Sequence, residues 1–140
     1  MVVTYPVHGV SGHPDHLVTH AVVKRVVCAL RRDGVTYPKR LAFFTLPPAP
    51  DDASRPPHLQ HSPLPLIDCV VSADDVDFST ARAALECYAT YLPVIEKQKP
   101  LQTVADGVNF ELFGESYEPP LSELVEKLET SNPSPLSSSM

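Results

Sequence analysis

The sequence of 140 residues lacks several features, and each absence removes a class of function. No apolar run approaches the roughly 18 residues that would suggest a membrane span. The opening, "MVVTYPVHG", has no basic start followed by an apolar stretch, so it does not read as a signal peptide, and a cytoplasmic location is expected. The 11 basic residues are scattered and the net charge is −6, which argues against the clustered Lys and Arg of a nucleic-acid surface. Cys28, Cys69 and Cys87 are odd in number, far apart and without a C-x-x-C pair. That excludes a disulfide framework and a thiolate zinc knuckle, and leaves buried free thiols in a reducing compartment. There is no internal repeat.

What is present suits one folded domain. Hydrophobic residues make up 43% of the chain, enough for a real core at this length. Proline is abundant: there are 16, against an average near about 5% of residues. Pro47, Pro48, Pro50, Pro56, Pro57, Pro63 and Pro65 crowd one stretch, so residues 47–65 read as a long irregular loop.

Along the chain, "VVTY" (2–5) reads as a short buried strand and "PVHGVSG" as a loop. Pro14 fits the first position of a helix, where its missing N–H costs nothing. Residues 14–32 carry Leu17, Val18, Ala21, Val22, Val26, Ala29 and Leu30 at helical spacing, with Arg31, Arg32 and Gly34 as stop signals. The valines are poor helix formers, so burial rather than propensity must hold this helix. "RLAFFTL" (40–46) predicts a strand buried on both faces. "LIDCVVSA" predicts a second strand, residues 78–92 a helix capped by Asp77 or Ser79 and bent or ended by Pro93, and "VNFELF" a short strand. "PPLSELVEKLE" predicts an amphipathic helix, and the tail 131–140 has nothing to bury and reads as disordered. Strands alternating with helices place the chain in the α/β class with a mainly parallel sheet.

The chemistry concentrates in "GVSGHPDHLVTH" (9–20), at a strand-to-helix junction where such sheets carry their functional groups. His13 is the expected N-cap, Asp15 and His16 lie in the first turn, and His20 sits one turn beyond His16 on the same face. The helix start favours neutral imidazole, the form that binds a metal, and favours the Asp15 carboxylate. His16 and His20 could chelate as an i, i+4 pair, and with His13 they could form a three-imidazole site. A carboxylate paired to His13 would stabilise its charged form and let it donate to an oxyanion or a leaving amine. The plain alternative is that these residues only cap a helix.

"VVTYPVHGVSGHPDHLVTHAVV" followed by "KRLAFFTLP" resembles the second half of the PIG-L/LmbE family of zinc-dependent deacetylases, over residues 2–47 and more weakly through "ARAALECYAT". The resemblance implies a Rossmann-like, mainly parallel sheet with flanking helices, present as a partial, C-terminal fold. Residues 1–130 are then the C-terminal portion of a deacetylase domain. It implies zinc as cofactor and removal of an acetyl group from an N-acetylglucosamine-type small molecule. On the matched motif, His16 is a zinc ligand, His13 the oxyanion-stabilising His, and Asp15 the carboxylate paired with His13.

The sequence also departs from the family. Ser11 stands where some members have a tyrosine, and Tyr88 and Tyr91 stand where relatives often carry His and Gln. The family's opening A-H-P-D-D-E motif, source of the other ligands and the general base, is missing from these residues. Asp51–Asp52 and Asp74–Asp75 read instead as solvated turns. Truncation of a longer deacetylase, inactive alone, is therefore expected, with self-association or a complementary N-terminal half as partner. A catalytically inactive binding module is the other reading. His8 reads as a loop or pocket residue, His58 and His61 as surface, Tyr5, Phe43 and Phe44 as core, and Asp68 as a possible acceptor for a backbone N–H.

Overall fold

The apolar run at 40–46 has large side chains on both sides of its pleat, so the strand it forms needs cover on both faces. The computed structural model, which describes residues 1–49 and 56–128, supplies it. Elements follow in the order β1 (Val2–Thr4), α1 (Pro14–Arg32), β2 (Leu41–Thr45), β3 (Cys69–Val71), α2 (Asp75–Glu86), α3 (Leu92–Gln98), α4 (Pro100–Thr103) and β4 (Val108–Leu112). One sheet runs β1-β2-β4-β3, with β1 and β2 parallel and β4 antiparallel to both neighbours. The class is α/β, but the sheet is mixed rather than mainly parallel.

The physical reason lies in the connections. Among the described residues only α1 crosses a sheet face between paired parallel strands, and a parallel pair needs such a crossover. The segment holding α2, α3 and α4 leaves β3 and enters the antiparallel β4 at the same end of the sheet, and these helices pack on one another. That end is also where β1 and β2 finish.

Leu41 and Phe43 face α1 and bury Val27, with Val2, Val23 and Phe113 around them. Ala42, Cys69, Phe110, Leu112 and Leu121 fill the other face, flanked by Phe44, Tyr117 and Leu124. Two-sided burial of β2 therefore holds, although Phe44 is only partly buried. On α1 the inward line is His16, His20, Val23 and Val27, not the expected valine set. Val18, Val22 and Val26 point outward, each more than half exposed. The helix is apolar on two sides, so spacing alone did not pick the packed one.

Residues 119–128 do not form the expected amphipathic helix. Leu121 instead makes a parallel bridge to Cys69, exchanging backbone hydrogen bonds with Asp68 and Val70. The buried Arg40 guanidinium takes the carbonyls of Leu124 and Glu126 while pairing bidentately with Glu115. With these backbone groups engaged elsewhere, the segment keeps isolated turn hydrogen bonds, from the Glu126 N–H to the Glu123 carbonyl and from the Leu128 N–H to the Val125 carbonyl, in place of a helix. Asp68 accepts from the backbone N–H groups of Leu112 and Tyr117, as its position on the chain suggested.

The second helix starts earlier than predicted. Asp74 is its N-cap and forms a reciprocal capping box with Asp77, so Asp74 and Asp75 open a helix rather than a turn. It stops at Glu86, and Pro93 stands in the first turn of α3 instead of ending a helix. Of the thiols, Cys69 alone is buried, while Cys28 and Cys87 are exposed. Asp51–Asp52 and the tail 131–140 lie outside the described residues. Among the described residues no helix is long and apolar enough to cross a membrane.

Glu115 is held below its ordinary value of 4.5, first by the hydrogen bonds from Arg40. A lowered carboxylate contributes stability that is complete above the unfolded value and is lost as pH falls through the folded one. Urea unfolding across pH 3 to 7 should therefore show stability falling below about pH 4.5, and Glu115→Leu should remove that part of the slope. This variant leaves the Arg40 charge buried and should cost about 3–5 kcal/mol. Arg40→Met should cost less, because Glu115 retains 23% side-chain exposure and can rehydrate. Equal losses, or an unchanged pH slope, would contradict the assignment.

Candidate functional site: two histidines at the start of α1

The loop between β1 and α1 turns sharply, and its residues show how. Gly9 has φ +64°, and a Cβ there would lie 2.9 Å from the Cβ of His16 and 3.2 Å from Leu17 Cδ2. Glycine is needed twice over, for the left-handed backbone and for the close approach to α1. Val10 follows at φ +60°, an outlier for a β-branched residue. The N–H of Ser11 donates to the Gly9 carbonyl across it at 2.7 Å, the hydrogen-bond pattern of a strained γ-turn.

This turn presents the Gly9 carbonyl to α1. His16 Nδ1 lies 2.8 Å from that oxygen. A carbonyl only accepts, so Nδ1 carries a proton, and when the ring is neutral Nε2 is a bare lone pair. Ser11 Oγ, 3.3 Å from the same nitrogen, is the weaker neighbour. The Tyr5 ring stacks on the imidazole with centroids 3.8 Å apart and planes 6° apart, fixing its orientation. Tyr5, read from sequence as core, is thus the platform of the site. A carbonyl on one ring nitrogen and a free lone pair on the other is the usual environment of a metal-ligating histidine.

His13 has the opposite tautomer. It is the N-cap of α1, and its Nδ1 accepts the backbone N–H of Asp15 at 3.2 Å. Its proton is therefore on Nε2 when the ring is neutral. The Asp15 carboxylate waits 3.8 Å from the same Nδ1, too far for a hydrogen bond but placed to pair with it once the ring is charged. The two rings lie 5.3 Å apart. One presents a donor and the other an acceptor, and among the described residues no group bonds to either Nε2.

His13 therefore caps α1 through Nδ1 while its Nε2 stays without a bond among the described residues. The site is open: the side chains of His13 and Asp15 are 57% and 87% exposed, and His16 is half-buried.

The other candidates fall elsewhere. His20 is buried, with Nδ1 2.8 Å from the Tyr5 carbonyl and its ring against Phe43. It supports the strand that carries Tyr5. Among the described residues no group of three or more His, Cys, Asp or Glu is arranged to hold a metal, so His13, His16 and His20 do not form a three-imidazole site. Tyr88 and Tyr91 are exposed between α2 and α3. His58 lines a cavity of about 180 Å³ with Val10, Phe44 and Leu59.

His8 sits beneath the loop. Burial lowers its pKa from the ordinary 6.5, opposed by the Glu111 carboxylate. Its Nδ1 accepts the Val10 N–H at 3.2 Å, and its Nε2 lies 3.3 Å from Ser62 Oγ.

Gly9→Ala should destabilise the chain by about 1–2 kcal/mol for the left-handed backbone, and by more for the contact with His16. Gly34→Ala, at φ +76° with nothing within 4 Å of its Cβ, should cost only the backbone part. Urea denaturation of both variants measures the difference, and equal losses would show that the loop does not press on α1. No family model, no curated protein and no solved structure matches the chain.

Proposed function

We propose that this chain is part of a zinc-dependent deacetylase acting on an N-acetylglucosamine-type small molecule, contributing His16 as one metal ligand and His13 as the oxyanion-stabilising group. The observation that carries the reading is the opposed tautomers of His16 and His13 at one helix start. The β1–α1–β2 unit, whose two strands pair in parallel, supports a Rossmann-like ancestry with the site at the carboxyl ends of its strands. Free thiols and the absence of a membrane-spanning helix among the described residues are in keeping with a cytoplasmic setting.

The residues present fit a metal as a single ligand and no more: His16 offers a carbonyl-oriented ring with a bare Nε2. A divalent ion bound there supplies Lewis-acid activation of water and of the amide carbonyl. His13 does the work this chain can do by itself. Its Nε2–H donates to the amide oxygen as negative charge develops there. When the ring takes a proton, Nδ1–H turns to the Asp15 carboxylate, which stabilises the imidazolium. Nε2–H then passes its proton to the departing amine, so that amide and water become acetate and amino sugar.

The remaining ligands and the general base must come from outside these residues. Two features suit their docking next to His16. In the sheet β1 is at an end, paired only with β2 among the described residues, and Val3 beside that edge is 48% exposed. The outward strip Val18, Val22 and Val26 is a separate exposed apolar surface along α1. A complementary half, or a second copy, packed on the β1 edge would pair its open strand.

The lack of a three-residue ligand group among the described residues favours a second reading, a catalytically inactive module that binds the sugar or a partner. The two separate experimentally. In the protein with its ligand set complete, zinc-dependent acetate release should fall by about 10²–10³ in His13→Ala, and zinc content should fall in His16→Ala. Unchanged zinc content and acetate release in His16→Ala would refute the enzymatic reading.

A further inference from the structure

A polar cluster beneath the loop remains outside the chemistry just described. Thr45 at the end of β2 and Ser62 in the loop before β3 are both fully enclosed. Ser62 Oγ donates to the Glu111 carboxylate on β4. Having spent its one proton, it accepts from Thr45 Oγ1 at 2.6 Å and from His8 Nε2 at 3.3 Å. His8 is then left with a lone pair on Nδ1, and the Val10 N–H donates to it. The donor and acceptor roles run in one consistent direction from Val10 to Glu111.

The end point matters because Val10 is the strained residue. A β-branched side chain at φ +60° costs on the order of 1–3 kcal/mol and persists only where its surroundings dictate it. Both backbone groups of Val10 are held. Its N–H goes to His8, and its carbonyl accepts the Gln60 N–H at 2.6 Å. The His8 carbonyl further accepts from Gly12 at 3.1 Å. Gln60 and Ser62 both come from the end of the proline-rich stretch, which gives that stretch a task in the fold.

We infer that Glu111, Ser62 and His8 are positioning residues for His16. The hydrogen-bonded line from β4 keeps Val10 in its left-handed turn, the turn aims the Gly9 carbonyl, and the carbonyl fixes which nitrogen of His16 is free. This assignment rests on the reading of His16 as a ligand, but it makes a separate claim about the loop. None of the three residues touches the reacting atoms.

Exchange of the His16 Nδ1 proton with solvent, followed by NMR on the full chain, tests it. Ser62→Ala and Glu111→Leu should speed that exchange by about tenfold or more, while Glu111→Gln, which keeps an oxygen acceptor for Ser62, should restore a rate near that of the unaltered chain. Far-UV circular dichroism reports whether each variant is folded. His8→Leu cuts the same line from a half-buried position and should speed exchange equally if Ser62→Ala does not fold.

An unchanged exchange rate in folded Ser62→Ala or His8→Leu would overturn the inference. So would unfolding of both, because the cluster would then be holding the sheet rather than the turn. Zinc content and acetate release in His16→Ala fail or succeed independently of this rate, which keeps the two claims apart.

Discussion

The hydrogen bond from His16 Nδ1 to the Gly9 carbonyl is the constraint around which the junction of β1 and α1 is organised. It requires glycine at position 9, because any side chain there would enter α1. It requires an unfavourable backbone at Val10, because only that turn brings the carbonyl round. It also requires Tyr5 at the end of β1, whose ring stops the imidazole from rotating away. A single interaction thus ties a strand end, a strained loop and a helix start. Its chemical product is a bare ring nitrogen beside a second imidazole of opposite tautomer.

The fold underneath serves that arrangement. α1 stays against the sheet through Val23 and Val27 on Leu41 and Phe43, with His20 continuing the same line toward the site. The far face is closed by residues 115–126, which have little regular structure and depend on Arg40 to organise their carbonyls and the Glu115 carboxylate. A fully buried guanidinium is costly to desolvate, so it is retained only where every donor finds a partner. Two of its acceptors, the carbonyls of Leu124 and Glu126, come from the segment that the sequence predicted as a helix.

The strength and weakness of the sequence as a guide follow from the range of the interactions. The helix at 14–32 and the N-cap role of His13 are local: proline at the first turn and polar residues before it decide them. Two-sided burial of β2 was visible in its unbroken apolar run. The packed side of α1 was hidden because valines occupy both sides, and neither periodicity nor propensity ranks two apolar faces. Sheet direction was misjudged because alternating elements imply crossovers only when each helix lies on a sheet face. The helices α2 to α4 do not. The Arg40 network joins residues more than seventy positions apart, and nothing in "PPLSELVEKLE" announces it. At the site, His13, Asp15 and His16 were legible from a short motif. Tyr5 and Gly9 were not, since an aromatic after a strand reads as core and a loop glycine reads as a turn.

The opposed tautomers of His13 and His16 are the claim on which the functional reading stands. Long-range proton–nitrogen correlation NMR on the chain carrying ¹⁵N-histidine, at about pH 8.5 where imidazoles are neutral, reads them directly. The expected spectrum has His16 protonated at Nδ1 and His13 protonated at Nε2. Protonation of His16 at Nε2, or rapid averaging of both its nitrogens, would contradict the account.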